Sequence, residues 1–154
     1  MVTNLIVIGT QKAKLEQTSK GFQKRLMLFL DGAKLNGYDS VTAVIRTQRN
    51  ADGFLSAMAN DGVASDGTEI ITFPCDQVIN VPGFDIDCSR FRLGEEYHLC
   101  GISTAASVLT MAMSMHSAGL NVKVLSKYCE DRKGDRFHKY ALEIMNAYMP
   151  GHII

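Results

Sequence analysis

The stretch from Glu96 to Leu125 constrains the fold more than any other part of the chain, because it contains a complete strand–helix–strand unit. The apolar run at 96–100 predicts a strand, the small residues at 101–104 predict a tight turn, and residues 105–118 predict a helix with Thr104 as its N-cap. Gly119 ends that helix, and residues 121–125 predict the next strand. Two strands joined in this way run parallel, since the connecting helix must cross over the sheet.

The rest of the chain repeats this alternation of strands and helices. Further strands are predicted at 4–8, 41–45, 69–73 and 76–81, and further helices at 16–35, within 46–60 and at 135–149. This order predicts a three-layer α/β/α sandwich around a mostly parallel, Rossmann-like central sheet. The length of 154 residues favours a single domain that spans residues 1–154.

Composition and charge restrict the class of protein. Hydrophobic residues make up 46% of the chain and charged residues 21%, which is enough apolar material for a core. Sixteen basic and sixteen acidic residues cancel without a basic stripe, so neither nucleic acid nor a membrane surface is expected as a partner. The first ten residues have neither the charge nor the length of a targeting or spanning segment, which predicts a cytoplasmic protein.

The four cysteines do not form a recognisable chemical motif. Cys75, Cys88, Cys100 and Cys129 include no C-x-x-C pair, and no histidine stands beside one at a zinc-ligand spacing. We therefore expect reduced thiols rather than a metal site or a disulfide framework. Cys100 ends an apolar run and is predicted to be a small buried residue.

Residues 101–108, G-I-S-T-A-A-S-V, carry the most specific motif. They follow a predicted strand and open a helix, and they resemble the G-[V/I]-x-T-x-x-C-V segment of the isochorismatase-like family of cysteine hydrolases. Ser107 stands at the position of that family's nucleophilic cysteine. The resemblance implies the family's α/β fold and its site at the carboxyl ends of the strands.

Two weaker motifs occur in the order that the same family shows. The opening L-I-V-I-G-T-Q resembles the family's apolar strand followed by D-x-Q, with Gly9 at the acidic position and Gln11 matching. The run at 76–81 resembles the strand end that presents a lysine; Val81 takes that position in an ungapped alignment, and Asn80 takes it after a shift of one residue. The match extends over nearly the whole chain, with a shortened stretch between Pro82 and Glu95.

Gly9, Val81 and Ser107 depart from the family's acid, lysine and cysteine, and all three positions bear on activation of the nucleophile. A thiolate near a helix N-terminus gains from the helix dipole and the unpaired N–H groups, which lower its pKa. The Ser107 hydroxyl stays protonated at neutral pH and needs a base. Gly9 cannot be that base, and Val81 cannot supply a cation. Only backbone donors of an oxyanion hole remain.

The leading hypothesis is therefore a catalytically inactive isochorismatase-like protein that acts by binding or by homo-oligomeric assembly. A retained pocket near Gln11, Ser103, Thr104 and Ser107 is the expected ligand site, with no catalytic residue expected. The alternative is an atypical hydrolase of amide or vinyl-ether substrates that uses Ser107, with Asp85, Asp87 or His98 as a recruited base. A third hypothesis is a structural subunit of a larger assembly.

The resemblance also bears on metals and partners. The family's nicotinamidase branch holds a metal with a D-x-H cluster after the second strand, and the corresponding residues 46–52, R-T-Q-R-N-A-D, contain no histidine. We expect no metal there and no cofactor. Family members form homo-oligomers, so a dimer or larger assembly is expected, with a protein partner or a small molecule as further candidates. The methionine-rich helix and the tail Tyr148–Ile154 are the predicted contact surfaces.

Overall fold

The computed structural model of the chain describes residues 1–47, 69–82 and 86–154, and strands and helices alternate along them. The elements in chain order are β1 (Thr3–Ile8), α1 (Lys12–Glu16), α2 (Lys20–Gly32), β2 (Ser40–Thr47), β3 (Gln77–Pro82), a 3₁₀ turn (Cys88–Arg90), β4 (Glu96–Ile102), a π turn (Thr104–Val108), α3 (Leu109–Ser117), β5 (Asn121–Glu130) and α4 (Asp135–Tyr148). Asp85 and most of the helix predicted within 46–60 lie outside the described residues.

The five strands form one parallel sheet in the order β3-β2-β1-β4-β5. In this register Ile8 at the end of β1 lies beside Val44 of β2 on one side and beside Gly101 of β4 on the other. The carboxyl ends of the central strands therefore meet along one edge, which we call the carboxyl edge. The opposite edge, where the strands begin, is called the amino edge.

Helices cover both faces of this sheet. The connection from β1 through α2 leads outward to β2, whereas the connection from β4 through α3 leads outward in the other direction to β5. Right-handed crossovers that leave the centre in opposite directions place their helices on opposite faces. The predicted three-layer α/β/α sandwich with a parallel sheet is confirmed. Among the described helices, none combines the length and apolarity needed to cross a bilayer.

The core lies between the sheet and one face of each helix. Residues Leu5–Ile8 of β1 are at most 3% exposed, as expected for a parallel strand that is covered on both faces. Met111 and Met115 of α3 are buried in the same core, and Met113 packs against it. The methionine-rich helix is thus largely a core element, which leaves little of it for contact with a second chain.

Several predicted boundaries are wrong for local reasons. Residues 69–73 do not form a strand, because only Glu69 and Ile70 make isolated bridges, that of Ile70 being antiparallel to Gln11. The helix predicted from residue 16 is interrupted, since Ser19 accepts the N–H of Phe22 at 3.3 Å and starts α2 as its N-cap. Strand β5 continues to Glu130 rather than ending at Leu125.

Candidate functional site

Gly9 directly follows β1 and has no side chain, and the structure leaves little room for one at this position. Gly9 has φ of +74°, and a Cβ built on it would lie 3.2 Å from the carbonyl oxygen of Ile102. The N–H groups of Gly9 and Thr10 both donate to the carbonyl oxygen of Val44, at 3.1 Å and 3.3 Å. An aspartate at position 9 would combine an unfavourable φ with a tight backbone contact. The backbone here is suited to glycine.

The end of β4 turns sharply into the following helix. Gly101 has φ of +132°, and a Cβ there would lie 2.0 Å from the carbonyl oxygen of Ile8. Ser103 has φ of +70° and is, among the described residues, the non-glycine residue with a left-handed backbone. Ser103, not Thr104 as predicted, is the N-cap, and its side chain does not cap the helix. The helix opens with the π turn, and π turns are often found at functional sites.

Three of the four predicted ligand-binding residues are buried. Gln11 and Ser103 are each 7% exposed, and Thr104 is fully buried. The Ser103 hydroxyl accepts a hydrogen bond from Nε of Arg132 at 3.2 Å, and the Thr104 hydroxyl lies 2.8 Å from Nδ1 of His138. Direct contact with a ligand is therefore restricted at these positions, and their predicted role stays a prediction.

Ser107 is half-buried in the π turn and lies near the helix start, as the sequence predicts. Its hydroxyl forms no hydrogen bond with any residue in the described ranges. A nucleophilic serine depends on a base within hydrogen-bond reach to take its proton. That requirement is not met by the residues that the structure describes.

The position expected to carry a lysine lies at the end of β3. Val81 is 9% exposed and belongs to the hydrophobic core. The alternative, Asn80, pairs with Ile45 of β2, and its buried Oδ1 has no hydrogen-bond partner among the described residues. Neither side chain carries the positive charge that would stabilise a thiolate or an ionised base.

The candidate replacement bases do not converge on Ser107. His98 lies on β4 four residues before Ile102, which is about 13 Å back along the strand toward the amino edge. Asp87 is exposed and accepts hydrogen bonds from the backbone N–H and hydroxyl of Ser89, which lower its pKa. Asp85 lies outside the described residues.

A buried carboxylate occupies the helix start instead. Asp131 is 7% exposed and follows β5. Its Oδ2 accepts the backbone N–H of Ala105 at 2.8 Å, and its Oδ1 accepts the backbone N–H of Lys133 at 2.8 Å. The positive end of the helix is thus already compensated by a negative charge. A second negative charge at residue 107 would be repelled.

Sequence reasoning missed Asp131, Arg132 and His138. They fall within residues 127–139, a charge-rich segment of mixed sign that the sequence alone predicts to be a solvated loop and a helix start. The structure brings them against Ser103 and Thr104 through contacts between residues that are distant in the chain. Burial lowers the pKa of His138, so its neutral form is favoured beside the Thr104 hydroxyl. The strand was predicted to end at Leu125, six residues before Asp131, so no sequence signal marked this carboxylate as part of the site.

The thiols of this region are not activated. Cys100 and Cys129 are buried, and burial raises the pKa of Cys100 well above its usual value and that of Cys129 to about 12. A thiol in such surroundings is a packing group rather than a nucleophile. Within residues 1–47, 69–82 and 86–154, no cluster of three histidine, cysteine, aspartate or glutamate side chains could hold a metal ion.

Comparison with known proteins gives structural matches without sequence matches. No known family profile matches the sequence, and no curated protein matches it. The nicotinamidase PncA of Bacillus subtilis has a TM-score of 0.71 at 12% identity, covering 99% of each chain. An isochorismatase-like hydrolase of Alkaliphilus metalliredigens has a TM-score of 0.69 at 16% identity, covering 96% of this chain and 92% of its own.

A third similar structure is named for a different activity. MAR1 ribonuclease of Caenorhabditis elegans has a TM-score of 0.70 at 12% identity, covering 99% of this chain and 76% of its own. At such identities the similarity concerns the fold and not the reaction. The TM-scores of 0.69 to 0.71 over 96% to 99% of this chain show a shared α/β fold with a parallel sheet and flanking helices, so the chain has the isochorismatase-like α/β fold.

Proposed function

We propose that the chain is a non-catalytic protein of the isochorismatase-like fold, which acts by binding or by assembly with further copies of itself. The observation that carries this proposal is the environment of Ser107. Its hydroxyl has no hydrogen-bonded base among the described residues, and Gly9 and Val81 stand where the resemblance places the acid and the lysine. A hydroxyl without a proton acceptor is a weak nucleophile.

The charge at the helix start supports the same proposal. An activated nucleophile at residue 107 would need the positive end of the helix for its own developing charge. Asp131 already accepts the N–H of Ala105, two residues before Ser107. The local electrostatics therefore favour a neutral side chain at position 107 over an anionic one.

The first test is an activity assay on amides, vinyl ethers and activated esters. We expect the wild-type protein and the Ser107→Ala variant to show the same rate as buffer alone. Ser114→Ala, which removes a half-buried serine from α3, is the matched control. Turnover that is lost in Ser107→Ala but kept in Ser114→Ala would overturn the proposal in favour of the atypical hydrolase.

A second test measures the environment of position 107 directly. The Ser107→Cys variant is treated with iodoacetamide across a range of pH, and labelling of the peptide containing residue 107 is followed by mass spectrometry. We expect labelling to rise with pH up to the ordinary thiol range, about 8.5 or above, since no cation stabilises the thiolate. Labelling that levels off below about pH 7 would reveal an activating environment and contradict the proposal.

A further inference from the structure

Helix α4 carries an apolar stripe on its surface that nothing in the described chain covers. Phe137, Tyr140, Ile144 and Tyr148 are 44%, 48%, 44% and 69% exposed. At about 100° per residue, these four positions fall within roughly 80° of one another on the helix. We call them the α4 stripe. It is separate from the buried face of the helix, which is formed by Ala141 and Met145.

Two charges of opposite sign flank the α4 stripe. Arg136 and Glu143 lie on the side of the stripe away from the core, two helical turns or about 10.5 Å apart. Arg136 contacts the stripe itself, with Nε 3.3 Å from the Tyr140 hydroxyl and its guanidinium 5.5 Å from the centre of that ring. Neither charge has an ion-pair partner among the described residues. Lys139 differs, because it pairs with Asp135 at 2.9 Å.

The pattern of these residues is nearly symmetric about Tyr140. The midpoint between Arg136 and Glu143 falls half a position before Tyr140. The midpoint between Phe137 and Ile144 falls half a position after it. A two-fold axis through Tyr140, perpendicular to the helix, would therefore bring Phe137 against Ile144 of a second copy. The same axis would bring Arg136 toward Glu143 of that copy, twice over. Isologous interfaces have this self-complementary form.

We propose that the α4 stripe is a homodimer interface, in which α4 of one copy packs antiparallel against α4 of another with Tyr140 near the two-fold axis. This inference names the surface for the assembly that the proposed function includes. Apart from Tyr148, which belongs to the α4 stripe, the tail does not compete for this role, because Val124 pairs with Ile153 and residues 152–154 hydrogen-bond to the edge of β5. Because the α4 stripe consists of four side chains, we expect a small interface and a dissociation constant in the micromolar range.

The test is sedimentation velocity of the full chain at about 1 to 100 μM, a range that spans micromolar affinity. We expect a concentration-dependent dimer for the wild-type protein. Ile144→Asp places a charge in the centre of the α4 stripe and is expected to weaken dimerisation at least about tenfold. Leu35→Asp is the matched control, because Leu35 is 91% exposed and lies outside the α4 stripe.

Exchange of the flanking charges tests the antiparallel geometry. Arg136→Glu and Glu143→Arg each place like charges opposite one another, so each variant alone is expected to dimerise at least about fivefold more weakly. An equimolar mixture of the two is expected to recover dimers, because every charge then faces its opposite. A parallel arrangement would not show the loss in the single variants, since residue 136 would then face residue 136 and the wild-type protein would already place like charges opposite one another.

The outcomes separate this inference from the proposed absence of catalysis. A wild-type protein that remains a monomer at about 100 μM overturns the inference, as does a dimer that Ile144→Asp leaves unchanged. A dimer that both Ile144→Asp and Leu35→Asp weaken equally also overturns it. Dimers that Ile144→Asp weakens but that each single charge exchange leaves unchanged, or that the charge mixture does not restore, overturn the antiparallel arrangement. None of these results alters the activity assay on Ser107, and circular dichroism confirms that each variant is folded.

Discussion

The two edges of the sheet differ in whether their polar side chains are connected to one another by hydrogen bonds. At the amino edge, the Tyr38 hydroxyl lies 2.8 Å from Nδ1 of His98, and Nε2 of His98 lies 2.5 Å from Oε1 of Glu96. Lys123 lies 3.2 Å from the same carboxylate oxygen. At the carboxyl edge, where ligands bind in open parallel sheets, the half-buried hydroxyl of Ser107 stands without such a network.

A chain of coupled polar groups, as at the amino edge, is therefore not in itself an active site. The His98 hydrogen bond lowers the pKa of Glu96, so the carboxylate stays ionised against Lys123. Burial raises the pKa of Tyr38 to about 12, which keeps the phenol protonated. The Glu96 carboxylate and the Tyr38 phenol are thus held in their ordinary charge states, which suits a structural role. At the carboxyl edge, the Asp131 carboxylate instead accepts hydrogen bonds from backbone N–H groups.

The largest effect is expected from Gly101→Ala, which tests how tightly the carboxyl edge is closed. The added methyl would meet the Ile8 backbone at 2.0 Å in a left-handed conformation, so β1 and β4 would have to separate. We expect the free energy of unfolding to fall by about 4 kcal/mol. Urea denaturation measures it. Gly21→Ala in α2 is the control and is expected to be neutral or stabilising, since nothing lies within 4 Å of the added carbon. A small loss in Gly101→Ala would show that this edge can open.

A smaller effect is expected from Asp131→Ala, which compares the two edges directly. Removal of the carboxylate leaves two backbone N–H groups, of Ala105 and Lys133, without their acceptor. We expect a loss of about 2–3 kcal/mol in the free energy of unfolding. Tyr38→Phe at the amino edge removes one hydrogen bond and is expected to cost about 1 kcal/mol. Equal losses in urea titrations of the two variants would contradict the distinction drawn between the edges.

The fold could be predicted from sequence because it depends on local patterns. Apolar runs identified most of the strands, and the glycine at 119 correctly separated α3 from β5. Residues 69–73 show the limit of that reasoning. Their β-branched and aromatic side chains suit a strand, and Ile70, Ile71 and Phe73 are indeed buried. Ile71 and Phe73 belong to the main core, and Ile70 packs with Ile45 and Val78, but none of the three has a place in the sheet. No local pattern distinguishes such burial from that of a strand.

The candidate site could be predicted only in part. Gly9 and Ser107 were located because their motifs are contiguous in sequence. The groups that determine the chemistry around them come from distant positions: Asp131 reaches Ala105 across 26 residues, and His138 reaches Thr104 across 34. A charged segment after a strand looks the same in sequence whether it is solvated or folded back on a helix start. Such contacts depend on tertiary packing, which sequence spacing does not encode.

The smallest effect concerns pH and the contact between His138 and Thr104. Burial lowers the pKa of His138, although the nearby carboxylates of Asp135, Asp131 and Glu130 act in the opposite direction. The unfolded chain therefore binds this proton more readily, and the contribution to stability that is present above about pH 6.5 is lost as the pH falls below it. Urea titrations at several pH values measure the slope, and His138→Gln should flatten it. An unchanged slope would mean that His138 titrates alike in the folded and unfolded chains. The Thr104 hydroxyl would then not depend on a neutral imidazole, and the carboxyl edge would retain no pH-sensitive contact at this position.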